Sequence, residues 1–400
     1  MMPGLIENKY IALGVSGSIA CHKSVDLASK LVQDGALIDV ILTKSALNFV
    51  TPIAFEAITH RPVTTGLFDR SSDSTINHVS IAERSDVIVL APATANTIAK
   101  ISLGLADDPL TTTLLATNAP VIVCPAMDGH MYENPATQEN INRLVSRGYT
   151  IVGPVDGYLA SGHSGRGRMI EPSNILGHIR YLLGQKGDLV GRKIVVSAGG
   201  TKEPIDPVRF IGNRSSGKMG YAVASAARDR GAETVLVSTS NSLSDPVGVK
   251  VIKVEDASSM KLMIEKECHD ANVLIMAAAV ADWRPNLFHD QKLKKNADEN
   301  MDMQLVPTED ILEGIEFDGL VKVGFAAESE NLESNARTKL DKKNLDFIAA
   351  NDILSDDSGF GTDTNRMVIL DRNGGVECLG LLSKYDVGWH ILDRVASVLK

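Results

Sequence analysis

Short apolar runs alternate with longer amphipathic stretches along the first half of the chain. The runs have the length and continuity of strands that are buried on both faces of a sheet. The stretches between them repeat their apolar positions at helical spacing and predict helices, as over residues 19–32 and 46–58. Strands that alternate with helices predict a parallel sheet covered on both sides. The apolar runs occupy residues 10–15, 37–42, 86–90, 120–123 and 150–152.

The alternation begins again in mid-chain, around a stretch that organises the second half. A buried strand is predicted over residues 194–196, and Gly199 and Gly200 follow it, where the backbone must turn tightly or let a ligand approach. A polar loop over residues 213–218 then opens a helix over residues 219–227. The N–H groups and dipole of such a helix make an anion site. Later strands are predicted over residues 234–238, 249–254, 273–276, 322–325, 347–349 and 367–370, and helices over 257–268 and 383–399.

The two patterns predict the fold class α/β, with two consecutive three-layer doubly wound domains. A short polar segment, GQKGDLVG over residues 184–191, separates them and is typical of a domain boundary. The predicted domains are residues 1–184 and residues 185–400, each long enough for its own hydrophobic core.

Composition and charge exclude several classes of function. Hydrophobic residues make up 44% and charged residues 22% of the chain, as in an ordinary globular protein. The net charge of −10 argues against a nucleic-acid groove, so basic segments are interpreted as sites for small anions. The 4 cysteines lack the spacing of a zinc site or a disulfide framework. The chain begins with no secretory pattern and contains no apolar run of membrane-spanning length, which predicts a cytoplasmic protein without a membrane partner.

Four loops in the first half carry candidate chemistry, because ligands bind at the carboxyl ends of parallel strands. Residues 14–20, GVSGSIA, have the composition of a phosphate-binding loop. Alternatively, they form only a tight turn between a strand and a helix. Small residues in APATAN, residues 91–96, let a flat ring lie against the backbone. PAMDGHMY follows at residues 125–132, and the glycine-rich ASGHSGRGRM, residues 160–169, is predicted to be a loop that closes over a substrate.

Together with His78, these motifs resemble the flavin-dependent cysteine decarboxylases. More narrowly, they resemble the phosphopantothenoylcysteine decarboxylase half of the bifunctional coenzyme A biosynthesis proteins. The resemblance implies a flavodoxin-like domain that uses FMN to oxidise the cysteine thiol, lose the adjacent carboxylate and return the electrons, with His78 as the catalytic acid–base. Alternatively, His78 is a surface histidine that precedes a helix and has no catalytic role. The FMN-binding residues that the resemblance implies are Gly17, Ser18, Thr43, Pro92, Thr94, Asn96 and Met127.

Two residues depart from the family pattern, which usually has Asn where this chain has Asp128 and a catalytic Cys where it has Ser161. An ionised Asp128 only accepts hydrogen bonds and repels the substrate carboxylate. A serine hydroxyl is a far weaker acid than a thiol, and the nearby His130 and His163 are the candidates to supply the proton or the positive charge. We predict that His163 donates the proton while Ser161 is kept for hydrogen bonding. A solvated loop histidine is the alternative.

The second half resembles the phosphopantothenate–cysteine ligase of the same family, and this implies a Rossmann-like domain. The motifs are SAGGTKEPIDPVRFIGNRSSGKMG, AAAVADWRP, KLKK over residues 292–295, GFAAES over 324–329 and NLDFIAANDI over 344–353. The implied reaction activates the carboxylate of phosphopantothenate with CTP or ATP, and the amine of cysteine then attacks the nucleotidyl ester.

The ligase resemblance also implies roles for particular residues. Asn213 positions the acyl intermediate, Lys292 neutralises charge on the leaving pyrophosphate, and Asp282 binds the nucleotide or its Mg²⁺. Alternatively, Lys292 and its neighbours form a solvated run of charged residues without a binding role. Asp282 could likewise serve only to cap a turn. The nucleotide or substrate residues that we predict across the chain are Asp128, Ala279, Asp282, Lys292, Phe325, Lys339 and Lys343.

Both halves together predict a bifunctional enzyme that makes 4′-phosphopantetheine from phosphopantothenate, cysteine and a nucleotide. The family resemblance also implies a homo-oligomer, with dimers of ligase domains and trimers of decarboxylase domains. An alternative keeps the ligase but makes the first half a flavin-binding assembly module without catalysis. A nicotinamide dehydrogenase is excluded, because GVSGSIA lacks the G-x-G-x-x-G spacing.

Overall fold

The computed structural model describes residues 4–67, 77–160, 162–294, 302–328, 331–352 and 361–399. Their contacts divide the chain into two compact units, Met1–Leu183 and Gly184–Lys400, which we call unit 1 and unit 2. Each unit has its own main sheet, with a cluster of buried apolar side chains on either face. No helix within the described ranges is long and apolar enough to cross a membrane.

The main sheet of unit 1 has five parallel strands in the order β2-β1-β3-β4-β5. This is the strand order of flavodoxin-like folds, with the switch point between β1 and β3. Ile11 and Leu13 belong to one buried cluster and Ala12 to the other, as expected of a strand covered on both faces. The strands are β1 Tyr10–Val15, β2 Leu37–Leu42, β3 Val87–Ala93, β4 Val121–Pro125 and β5 Thr150–Ile151.

The helices of unit 1 differ from the predicted pattern at one place. The single helix predicted over residues 46–58 is wrong, because Pro52 holds Thr51 in an extended conformation and starts a new helix. A 3₁₀ turn, Ala46–Asn48, precedes that break. The helices are α1 Cys21–Gln33, α2 Pro52–Thr59, α3 Asn77–Arg84, α4 Ala95–Leu103, α5 Pro109–Ala116, α6 Gly129–Glu133, α7 Pro135–Ser146 and α8 Pro172–Gly184.

The glycine-rich stretch near the end of unit 1 is largely a β-hairpin. Strands β6 Val155–Tyr158 and β7 Ser164–Arg168 pair antiparallel, with a shift of register after Val155. The prediction of a loop over residues 160–169 is therefore wrong for the second strand, whose backbone groups find partners across the hairpin. Ser161 lies outside the described residues.

The main sheet of unit 2 has eight strands in the order β12-β11-β8-β13-β16-β17-β19-β20. The first six are parallel in the Rossmann order, and β19 and β20 extend the sheet antiparallel. The strands of unit 2 are β8 Lys193–Ala198, β9 Lys202–Pro204, β10 Phe210–Gly212, β11 Glu233–Ser238, β12 Lys250–Lys253, β13 Val273–Met276, β14 Trp283–Pro285, β15 Leu305–Pro307, β16 Val321–Glu328, β17 Phe347–Asp352, β18 Thr364–Asn365, β19 Met367–Asp371, β20 Val376–Cys378 and β21 Leu382–Ser383.

Helices cover both faces of this sheet. Ile194 and Val196 pack in the cluster that includes residues of α9 and α12, and Val195 packs in the cluster that includes residues of α10 and α11. Two small antiparallel pairs, β9 with β10 and β14 with β15, lie outside the main sheet and flank the loops after β8 and β13. The helices of unit 2 are α9 Lys218–Asp229, α10 Ala257–Cys268, α11 Leu332–Lys342 and α12 Lys384–Val398.

The close packing of α9 on β8 leads to a stability prediction for Gly220→Ala. An added Cβ would lie 2.5 Å from the Cβ of Ala198 and 2.6 Å from the carbonyl oxygen of Ser197, so the helix must shift. We expect the free energy of unfolding of unit 2 to fall by about 1–3 kcal/mol. Urea unfolding followed by tryptophan fluorescence reports this unit, because both tryptophans, Trp283 and Trp389, lie in it.

A matched control for this prediction is Gly314→Ala, where the nearest atoms to the new Cβ are 3.6 Å away. The control should unfold at nearly the original urea concentration. Equal unfolding midpoints for the two variants would contradict the packing argument.

Candidate active sites

A cleft of about 520 Å³ opens at the carboxyl ends of β13 and β16, beside the point between β8 and β13 where the strand order of unit 2 reverses. Its walls come from the loop before α9, the loop after β13, residues 308–312, β16, α11 and α12. Helix α9 begins at the cleft after Gly217, whose φ of 80° favours glycine and which has no side chain to cap the helix. The N–H of Lys218 donates to Ser216 Oγ at 3.4 Å. The cleft therefore offers a helix N-terminus to an anionic ligand.

Hydrogen bonds from the β8 side hold the loop after β13 in place. The N–H of Ala278 donates to Ser197 Oγ at 3.0 Å, and the N–H of Ala281 donates to Thr201 Oγ1 at 2.9 Å. Asn213 Nδ2 donates to the carbonyl of Val280 at 3.0 Å. The small alanines of this loop let it lie close to β8, and these hydrogen bonds hold its shape.

Charged side chains concentrate at the cleft. Five basic residues line it against three carboxylates, although the whole chain is acidic. Lys343 Nζ lies 2.8 Å from Asp310 Oδ2, and Lys218 Nζ lies 2.7 Å from Asp363 Oδ1. Burial raises the pKa of Asp310, but the hydrogen bond and charge of Lys343, together with hydrogen bonds from backbone N–H groups, outweigh burial, so the pKa lies below its ordinary value. Burial and then the neighbouring Lys218 lower the pKa of the Lys384 ammonium. An excess of cations in a concave site suits a phosphate-bearing ligand.

The structure brings together all but one of the predicted ligase residues. Lys292 is exposed and does not line the cleft, and Lys295 of the same lysine-rich tetrad lies outside the described residues. Asp282 is exposed at the rim, and the described residues hold no group of three or more His, Cys, Asp or Glu able to bind a metal. The predicted residues that do line the cleft are Asn213, Ala279, Asp282, Phe325, Lys339 and Lys343.

Sequence reasoning missed part of the lining. Lys218 stands within a recognised motif but was not singled out, while Asp310 and Lys384 belong to no motif. Lys384, which is 6% exposed, is the first residue of α12 and reaches the cleft from far along the chain. Only the tertiary fold shows that these side chains meet.

A second cavity, of about 360 Å³, lies in unit 1 between the start of α1, the loop after β4 and the β6–β7 hairpin. Lys23 on α1 is buried, and its Nζ donates to the carbonyl of Met169 at 2.7 Å and to Glu171 Oε1 at 2.9 Å. That hydrogen bond lowers the pKa of Glu171. Lys23 thus fastens the end of the hairpin to α1, at one wall of the cavity.

The predicted flavin residues fall into two groups. Ser18 and Met127 line the cavity, together with Asp128, whereas the others lie in neighbouring loops, at the end of β3 or at the start of α4. Ser16 joins these loops, because its Oγ donates to the carbonyl of Pro92 at 2.7 Å and accepts from the N–H of Thr94 at 3.0 Å. The predicted residues outside the cavity lining are Gly17, Thr43, Pro92, Thr94 and the exposed Asn96.

The predicted acid–base residues also occupy different places. His78 lies in the first turn of α3, and its buried Nδ1 has no hydrogen-bond partner in the part of the chain that the structure describes. Asp128 is the N-cap of α6 and accepts from the N–H of His130 at 3.0 Å. His163 is exposed in the hairpin turn and does not line the cavity.

The thiols of unit 1 do not replace the missing cysteine. Cys21 and Cys124 are both buried, and burial raises the pKa of each thiol. Neither is a candidate proton donor at neutral pH.

Two α/β units, one flavodoxin-like and one Rossmann-like, each with a cavity at the carboxyl edge of its sheet, define a two-domain enzyme of the nucleotide-binding type. The flavoprotein family model matches residues 3–184, and the model of the DNA/pantothenate metabolism flavoprotein C-terminal domain matches residues 189–399. The coenzyme A biosynthesis bifunctional protein CoaBC of Bacillus subtilis (strain 168) is 44% identical over 401 residues, covering 99% of this chain and 98% of its own length. CoaBC of Escherichia coli (strain K12) is 39% identical over 400 residues, covering 98% of each.

The chain therefore belongs to the family of coenzyme A biosynthesis bifunctional proteins, which confirms the family resemblance and the α/β fold class. It is an enzyme that combines a phosphopantothenate–cysteine ligase with a phosphopantothenoylcysteine decarboxylase. Among solved structures, a C-terminal domain of CoaBC is 38% identical with a TM-score of 0.46, covering 53% of this chain and 98% of that one. A PPC decarboxylase variant complexed with pantothenoylaminoethenethiol is 32% identical with a TM-score of 0.39, covering 44% and 97%.

Proposed function

We propose that unit 2 joins cysteine to 4′-phosphopantothenate at the expense of CTP, and that unit 1 decarboxylates the product to 4′-phosphopantetheine with FMN. The observation that supports this most directly is the basic cleft at the Rossmann switch point, which combines a helix N-terminus with five cationic side chains. A nucleoside triphosphate and a phosphorylated acid together bring the negative charge that such a cleft neutralises.

In the ligase site, Asn213 has the geometry of an orienting group. Its Nδ2 donates to the carbonyls of Val280, at 3.0 Å, and Ala279, at 3.5 Å, and its side-chain oxygen would bind the acyl intermediate. Lys339, Lys343 and Phe325 line the cleft, where they bind the nucleotide together with Ala279. Asp282 supplies one carboxylate to Mg²⁺, and because the described residues hold no cage of ligands, the phosphates of the nucleotide complete the coordination.

In the decarboxylase site, residues at or just after the carboxyl ends of β1, β2, β3 and β4 would hold FMN: Gly17, Ser18, Thr43, Pro92, Thr94, Asn96 and Met127. When bound, FMN supplies the oxidation of the substrate thiol and the later return of the electrons. The unpartnered Nδ1 of His78 is a buried polar atom that a bound ligand would satisfy. His163, in the turn of the hairpin, would provide the final proton, and Ser161 would be kept for hydrogen bonding.

A second candidate function for unit 1 is a flavin-binding assembly module that does not decarboxylate. Asp128 lines the cavity, and its ionised carboxylate would repel the carboxylate of the substrate. In either case the protein is proposed to be a cytoplasmic homo-oligomer, with dimers of ligase domains and trimers of decarboxylase domains.

The purified full-length chain should be yellow, and it should release both pyrophosphate and CO₂ when given phosphopantothenate, cysteine and CTP. Visible absorbance tests the flavin, and the two released products report the two units separately. Replacement of CTP by ATP should lower pyrophosphate release. A colourless protein that fails to take up added FMN would contradict the flavin site, and pyrophosphate without CO₂ would favour the assembly module.

A further inference from the structure

A buried aspartate organises the turn between β9 and β10. The side chain of Asp206 is 0% exposed, and its Oδ1 accepts hydrogen bonds from the N–H groups of Val208 and Arg209, both at 2.9 Å. Arg209 Nε donates to Oδ2 at 2.9 Å. The hydrogen bond from Arg209 and those from the backbone hold the pKa of Asp206 well below its ordinary value, so the carboxylate is ionised at neutral pH.

The same ion pair binds the segment that carries Lys292. The N–H of Leu293 donates to Asp206 Oδ2 at 3.2 Å, and Arg209 Nη2 donates to the carbonyl of Leu293 at 2.9 Å. The N–H of His289 adds a bond to the carbonyl of Ile205 at 3.0 Å. Residues 289–294, all of which the structure describes, lie in neither a helix nor a strand. Both main-chain groups of the residue that follows Lys292 are thus held by one side-chain pair.

The other end of this hairpin reaches the cleft. Strand β10 ends at Gly212, and the next residue, Asn213, lines the cleft and bonds the carbonyl of Val280. One short hairpin therefore carries Asn213 at its end and grips the neighbour of Lys292 at its turn. The distance between these two candidate active-site groups is set by the same piece of backbone.

We infer that Asp206, together with Arg209, is a positioning residue that fixes the backbone beside Lys292 for the ligase reaction. The inference rests on the role proposed for Lys292. Because Leu293 is held at both its N–H and its C=O, the backbone next to Lys292 is restrained, and the remaining motion of the lysine is mainly in its side-chain torsions. The lysine side chain then samples fewer conformations before it reaches the one that contacts the pyrophosphate, and this restriction favours catalysis.

The first test measures the backbone directly by limited trypsin digestion of the full-length chain. The substitution Asp206→Asn keeps the shape of the side chain but removes its charge. It also places the amide NH₂ against groups that already donate hydrogen bonds to Asp206, so some of these bonds are lost. Cleavage after Lys292 and Lys294 should become about tenfold faster, because the segment opens more often. The matched control is Asp270→Asn, an exposed carboxylate of unit 2 that pairs with Lys193, and its cleavage rate at these sites should not change.

The second test measures pyrophosphate release in a double-mutant cycle with Lys292→Gln. Asp206→Asn alone should slow release about 10- to 100-fold with an unchanged dissociation constant for CTP. In the Lys292→Gln background it should cause no further loss, because the positioned group is gone. A merely structural role would lower the rate equally in both backgrounds. Arg209→Lys, which keeps the charge but loses the fork that holds Leu293, should give the same pattern if Asp206→Asn folds poorly.

Two results would overturn this inference but leave the proposed role of Lys292 intact. One is unchanged digestion of Asp206→Asn by trypsin, and the other is a fully active Asp206→Asn when Lys292→Gln is inactive. Full pyrophosphate release by Lys292→Gln itself would instead remove the proposed role of Lys292, and the inference with it. The two failures are distinguished by which single variant keeps its activity.

Discussion

The substitution Lys292→Gln should slow pyrophosphate release by about 10²–10³, because it removes one cation from the charge that develops on the leaving group. Glutamine keeps most of the length of the side chain and its capacity to donate hydrogen bonds, so the loss is one of charge. Affinity for phosphopantothenate should change little, since Lys292 does not line the cleft. Rapid-quench measurement of pyrophosphate, with the flavin spectrum as a check on folding, tests the prediction.

Lys294→Gln is the matched control, because Lys294 is an exposed lysine two residues further along the same segment. It should retain nearly the full rate of pyrophosphate release. Equal losses in the two variants would indicate a diffuse effect of positive charge along a solvated run, and Lys292 would then have no individual role.

Much of the fold followed from hydrophobic periodicity. The strands at residues 10–15, 37–42 and 273–276 begin and end where the apolar runs predicted. The antiparallel extension of the second sheet by β19 and β20 could not be inferred in this way, because a short apolar run does not reveal the direction of its neighbour. The β6–β7 hairpin was missed because glycine, serine and arginine have low strand propensity, and its pairing comes from the partner strand.

The candidate sites divide along similar lines. Loops that directly follow a strand, such as those with Asn213 and Ala279, were predictable because parallel strands end at a common edge. Lys384 and Lys23 were not, since each is a buried lysine whose surroundings come from distant parts of the chain. The bond between Asp206 and Leu293 spans 87 positions in sequence, so no local pattern could have shown it.

The substitution His78→Gln should lower CO₂ release by about 10²–10⁴, the range expected for the loss of a general acid–base. His78 is the candidate with a buried ring nitrogen that lacks a partner in the described structure. Glutamine donates and accepts hydrogen bonds but cannot exchange a proton near neutral pH. His60→Gln, an exposed histidine at the end of α2, is the control and should release CO₂ normally. Normal CO₂ release by His78→Gln would exclude it as the acid–base.

The companion variant His163→Gln should separate the two stages of decarboxylation. If His163 supplies the final proton, this variant loses CO₂ at a nearly normal rate but accumulates the unsaturated thiol, because an amide cannot protonate it. The exposed position of His163 lets it exchange protons with solvent between turnovers. Rapid mixing with phosphopantothenoylcysteine, followed by CO₂ and product analysis, resolves the stages. Normal formation of phosphopantetheine would eliminate His163 as the donor, and an absence of CO₂ from the unsubstituted protein would favour the assembly module.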